Sequence, residues 1–209
     1  MAYTTIDNPE LYFQAKLYTG NGTAIGSGGQ AITLDGDTDM QPDFVWIKDR
    51  TDTDRPRLFD SIRGVTKSLD SSDTSAEDTN SEYLTAFGSD GFTVGNHEGV
   101  NSNTDSFVAW CWKAGTAASG DTVGLGTLKT FTASVSTDSG FSVTKYTGNG
   151  TNGHQFPHSL GVAPEMLIVK RTDTTGDWIV FHKSLGATKI LELNDTAAEE
   201  TSQTYWNNS

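Results

Sequence analysis

Apolar residues in this chain come in short bursts separated by turn signals. Phe44-Val45-Trp46-Ile47 and Met166-Leu167-Ile168-Val169 are unbroken apolar runs of strand length, each preceded by Pro and an acid. Such runs predict strands buried on both faces, as at the centre of a sandwich. The alternation in Phe107-Val108-Ala109-Trp110-Cys111-Trp112 puts Phe107, Ala109 and Cys111 on one face of a strand and Val108, Trp110 and Trp112 on the other. Trp46, Trp110 and Trp112 are accordingly expected in the core. Between the bursts stand Asn21-Gly22, Asp35-Gly36, Asp90-Gly91, Asn149-Gly150 and Asn152-Gly153, dipeptides that supply the positive φ of tight turns. The segment 72–79 and its counterpart 194–201 suit either one helical turn, with Asp73 or Asp195 as its cap, or a loop. The fold class expected from this pattern is all-β.

The pattern also repeats. At a separation of 122 residues, the segment 58–67 lies over 180–189, and the register continues without a gap through Leu69 and Leu191, Ala76 and Ala198, and Glu77 and Glu199. Pro42 meets Pro164 and Lys48 meets Lys170 in the same register, while upstream the separation becomes 128, pairing Phe13 with Phe141 and Tyr18 with Tyr146. YTGNGT therefore occurs twice, and the first copy has a longer loop over 26–39. The expected organisation is a first repeat over 1–115, a linker and connecting strand over 116–139, and a second repeat over 140–209. That second repeat has no counterpart of 91–95 or 107–115, so it is expected to be incomplete and the chain to belong to a longer polypeptide.

Composition fits short strands and many turns: only 34% of the residues are hydrophobic and 22 are Gly. A formal charge of −13, with Lys and Arg interleaved among acids, opposes binding to a phosphate backbone or an anionic membrane. Nucleic acid and membrane insertion are therefore not expected. Cys111 is the one cysteine, which excludes an intrachain disulfide and a zinc site built on several cysteines. The opening residues lack the basic and apolar regions of a signal peptide.

Candidate chemistry is sparse. Gly148-Asn149-Gly150-Thr151-Asn152-Gly153 spells G-x-G-x-x-G, yet Pro157 stands where a dinucleotide site needs a helix, and turns are the better reading. Asp35, Asp37 and Asp39 have the alternate spacing of a calcium loop, but Met40 and Trp46 occupy the places of the EF-hand Gly and Glu. They are a weak calcium candidate, and the loop they occupy is where variable contacts are expected. His154 and His158 are four apart with Pro157 between them, which breaks a helical metal pair. Asp60 and Arg63 are expected as a buried ion pair. No nucleophile elbow or glycosidase acid pair stands out, so no catalytic residue, no cofactor and no enzyme activity are expected. Exposed Trp or Tyr beside Asp and Asn would suit sugars.

The two YTGNGT segments, PDFVWIKDR, LFDSIRGVTKSL, FGSDGFTVG, FVAWCWKAG, HSLGVAPEMLIVKR and LELNDTAAEE together resemble a repeat family of tail-fibre and other virion proteins of tailed, often marine, bacteriophages. The resemblance implies antiparallel β-sandwich modules of jelly-roll or lectin-like type, strung in tandem. It further implies a structural virion protein, a tail fibre or similar appendage. Such a protein is assembled in the host cytoplasm and released by lysis. It forms homo-oligomers, trimers foremost, contacts other tail or capsid proteins, and adheres to a host surface glycan or receptor. The alternatives are a stand-alone glycan-binding lectin and a capsid decoration or head-fibre protein.

Overall fold

A computed structural model of the chain describes residues 6–201 together with 205 and 206. The first half contains β1 (Phe13–Thr19), β2 (Gln30–Ile32), β3 (Phe44–Asp49), β4 (Arg57–Asp60), β5 (Lys67–Asp70), β6 (Asp78–Thr79), β7 (Leu84–Gly88), β8 (Gly91–Val94), the short helix α1 (Glu98–Asn101) and β9 (Ser106–Trp112). The second contains β10 (Thr116–Asp121), β11 (Val123–Gly124), β12 (Thr130–Ser136), β13 (Phe141–Tyr146), β14 (His154–Gln155), β15 (Met166–Val169), β16 (Ile179–His182), β17 (Lys189–Glu192) and β18 (Glu200–Thr201). The protein is all-β, and every described strand pair is antiparallel.

A six-stranded sheet in the order β1-β9-β3-β4-β5-β6 and a three-stranded sheet in the order β2-β8-β7 share the main core. Val45, Ile47, Phe59, Phe107, Ala109 and Cys111 from the larger sheet meet Ile32, Leu84, Phe92 and Val94 from the smaller. Alternation decides which residues enter: Phe107, Ala109 and Cys111 are wholly buried, and their neighbours Val108, Trp110 and Trp112 are only half-buried on the opposite face. Trp46 shares that outer face. The three tryptophans expected in the core therefore lie outside the main core, half-buried on the opposite face, because the period of two puts them across the sheet from Val45 and Cys111.

The second half repeats part of this design residue for residue. In β3–β4, Phe44 faces Asp60 and Ile47 faces Arg57; in β15–β16, Met166 faces His182 and Val169 faces Ile179. Arg57 faces Asp70 as Ile179 faces Glu192, and Lys67 faces Thr79 as Lys189 faces Thr201. Every pair is displaced by the same 122 residues seen in the sequence (Lys67 and Lys189). Loop bonds follow suit. Ser61 N donates to Asp43 O at 2.9 Å and Lys183 N to Glu165 O at 2.8 Å, while Ser75 N donates to Asp73 Oδ1 at 2.7 Å and Ala197 N to Asp195 Oδ1 at 3.0 Å.

The structure refines three local readings. Within the stretch 116–139, expected as linker and connecting strand, residues 116–121 form β10 and pair along their whole length with β12; small residues adapt to a pleated ribbon that Phe131, Ala133 and Val135 bury on one face. Residues 72–79 make no helix, because Asp70 and Asp73 accept from Ser72 N and Ser75 N and hold the backbone in turns. β15 is not buried on both faces: Met166 and Ile168 are 52% and 41% exposed, with no second layer of described residues over them.

Candidate functional site

The sequence candidates scatter. Asp35 pairs with Lys16 of β1. Gly36 N donates to Gln14 Oε1 at 2.9 Å, Asp37 N donates to Glu10 Oε2 at 3.0 Å, and Gln14 Nε2 reaches Thr38 O at 3.2 Å. The loop is thus laced to the segment 10–16, and its earlier part supplies Ile32 and Leu34 to the core. Among the described residues no three His, Cys, Asp or Glu side chains converge as a metal ion would require.

The glycine-rich segment is a turn. Gly150 and Gly153 have φ of 74° and 83°, Asn149 Oδ1 accepts from Thr151 N at 2.9 Å, and the chain proceeds into β14 with no helix to bind a phosphate. The first copy makes the same bond, Thr23 N to Asn21 Oδ1 at 2.9 Å. His154 Nδ1 lies 2.7 Å from Asn149 Nδ2, and His158 Nδ1 accepts from Leu160 N at 3.1 Å; each histidine serves its own loop. Asp60 and Arg63 form the expected buried pair, and Arg63 also donates to Leu58 O at 2.9 Å and contacts Glu77 Oε2 at 3.3 Å. His182 replaces Asp60 in the second copy, and its Nδ1 accepts from Ser184 N as Asp60 Oδ1 accepts from Ile62 N. An acceptor at that position is a turn requirement.

The concave surface centres on Phe13, and of the sequence candidates only Asp35 reaches it. Phe13 at the start of β1, Trp112 at the end of β9 and Phe141 at the start of β13 come together, with ring centroids 4.9 Å apart for Phe13–Trp112 and 6.1 Å for Trp112–Phe141. With Tyr12 and Ser139 they line a cleft of about 290 Å³. A second cleft, of about 280 Å³, shares Phe13 and adds Glu10, Gln14 and Asp35. Tyr12 Oη donates to Asp138 Oδ2 at 3.3 Å, and desolvation first, then that carboxylate, raises the phenol's pKa. Ser139 Oγ is buried with no hydrogen-bond partner. Aromatic faces flanked by Asp and Glu oxygens are the groups that engage the C–H faces and hydroxyls of a sugar.

Residues 8–209 match the family model described as Domain of unknown function (DUF7483). The chain belongs to that family. No curated protein and no solved structure gives a significant match. For this member of DUF7483 the cleft is the arrangement that sequence reasoning missed. Phe13 and Phe141 occupy equivalent positions at the 128-residue spacing, but their meeting on Trp112 depends on how β13 folds back against β1 and β9. Cys111, one residue from Trp112, points the other way into the core, where burial pushes its thiol up to about 12, so it is not a poised nucleophile.

Proposed function

We propose that this chain is a non-enzymatic structural protein of the virion of a tailed bacteriophage, a tail fibre or similar appendage. It is built from tandem β-sandwich modules of jelly-roll or lectin-like type and contributes to adhesion at the host surface. The observation that carries the reading is the repetition of strand register and turn bonds of β3–β6 in β15–β18 at a constant spacing of 122 residues, which is how a stack of similar units lengthens a filament. The resemblance to virion repeat proteins supplies the setting, with trimers, other tail or capsid proteins as neighbours, assembly in the host cytoplasm and release by lysis. Antibody raised against the chain should label purified particles at an appendage with three-fold symmetry. Label confined to the head shell would favour the decoration protein instead.

The paired clefts at Phe13 favour a second reading, a lectin acting alone. A glycan array separates the two. Binding by the isolated chain that falls at least about tenfold in Trp112→Ala, with folding retained, supports a sugar site built on aromatic stacking. Silence of both proteins leaves a scaffold without adhesion. A chelator arm reports on Asp35, Asp37 and Asp39: loss of binding with chelator would bring calcium back into the account.

A further inference from the structure

The edges of the sheets are not treated alike. The edge strand β1 carries Lys16 and Gln14, β13 carries Lys145, β10 is composed of Thr, Ala, Ser, Gly and Asp, and β6 and β18 are two residues long. These are the ordinary ways of making an edge unattractive to a further strand. β15 has none of them. Met166-Leu167-Ile168-Val169 has no charge, Pro or Gly, and among the described residues β15 pairs only with β16, so that none of them occupies its other edge.

The first half shows what such an edge receives. β3, the counterpart of β15, has the same partner on one side and β9 on the other, and β9 is in turn paired to β1, the counterpart of β13. Burial tracks the difference. Val45, Ile47 and Phe59 are fully buried, whereas their counterparts Leu167, Val169 and Phe181 are only half-buried. The carboxylates at the entrance differ in the same sense. Asp43 is buried and accepts from Ala114 N just beyond β9 at 3.0 Å, while its counterpart Glu165 is exposed and pairs with Lys183 at 2.6 Å.

We propose that the free edge of β15 is a receptor for one extended protein strand with the alternation of β9, supplied by a further copy of this repeat. The β9 of the first half is already paired on both edges. The constant spacing fixes the register: Met166 faces the residue in Trp112's place, Leu167 the one in Cys111's place, and Val169 the one in Ala109's place, as Phe44, Val45 and Ile47 do with β9. Main-chain bonds supply affinity, and alternate side chains entering the uncovered face supply specificity. The proposal rests on reading the two halves as copies of one module.

A synthetic peptide of residues 104–115 is the probe, added to the full chain bearing Cys111→Ala and Leu167→Cys. Mild oxidation should join the peptide's Cys111 to position 167 at least about tenfold more than to Ile168→Cys, because a one-residue shift turns the side chain to the other face. Hydrogen exchange on the unmodified chain guards against misfolded variants: peptide should slow exchange of the alternate β15 amides that do not face β16. Equal cross-linking at 167 and 168 with no added protection overturns the proposal, as does a β15–β15 disulfide between two chains at the expense of the peptide. If β15–β16 amides exchange freely even without peptide, the module reading itself has failed.

Discussion

His97 caps α1 through Nδ1, which accepts from Gly99 N at 3.1 Å, and its ring lies 4.4 Å from that of Tyr83. Burial, then the guanidinium of Arg57, holds its pKa below the usual 6.5, while Glu98, Asp54 and Asp78 oppose that shift. A histidine with a depressed folded pKa is protonated more readily in the unfolded chain. Its contribution to stability is therefore complete above about 6.5 and declines as pH falls toward the depressed value. Between pH 7 and pH 5 the urea midpoint of the wild type should drop further than that of His97→Asn, which keeps a capping acceptor but does not titrate. Parallel pH profiles for the two would remove His97 from the account. At this scale, conserving a role matters more than conserving a residue, since the Asp60 acceptor becomes His182 without loss of the turn.

Among elements, the four-strand units β3–β6 and β15–β18 behave as two settings of one pattern. Lys48 donates to the carbonyl of Asp49 at 2.5 Å and Lys170 to that of Arg171 at 3.0 Å, so an equivalent lysine ties down the loop after each strand. Gly64 and Gly186 close the equivalent turns with φ of 91° and 81°, and a Cβ at either would meet nothing within 4 Å. Replacing either by Ala therefore tests backbone strain alone. Each substitution should cost about 1 kcal/mol in equilibrium denaturation, with Asn costing less. A cost at one site and none at the other would mean the two turns are not equivalent. The apolar runs of β3 and β15 and these turns were legible because they repeat at a fixed spacing, whereas β6 and β18, which lack an apolar run, were not. The absent helix at 72–79 was not, because whether Asp73 caps a helix or closes a turn depends on which amide its carboxylate meets.

Across the whole molecule, the outer face of the six-stranded sheet is where the two halves meet. Trp178 packs with Leu58 and Leu69, with Phe44 and Trp46 against the same cluster, and its Nε1 donates to Asp70 O at 2.7 Å. Asp43 makes a second link, accepting from Ser61 Oγ at 2.7 Å and from Ser134 Oγ at 3.2 Å. Trp178→Ala should cost about 3–5 kcal/mol, as expected for emptying a buried aromatic site. Trp178→Phe should keep most of the packing and lose roughly 1 kcal/mol with the hydrogen bond. Urea denaturation followed by the fluorescence of the remaining tryptophans measures both, and an Ala variant as stable as wild type would show that the halves do not depend on this contact.

The sequence by itself determined the all-β class, the strands that carry apolar runs, the turn glycines and the spacing of the repeat, because each is written in local periodicity and in residues that only certain backbone angles accept. Tertiary structure alone decided which face of β3 and β9 became the core, where Trp46, Trp110 and Trp112 went, and that Phe13, Trp112 and Phe141 share one cleft. The physical reason is common to all three. Alternation defines two faces for a strand, but only the second sheet and the returning chain determine which face loses its water and which is left to meet a partner.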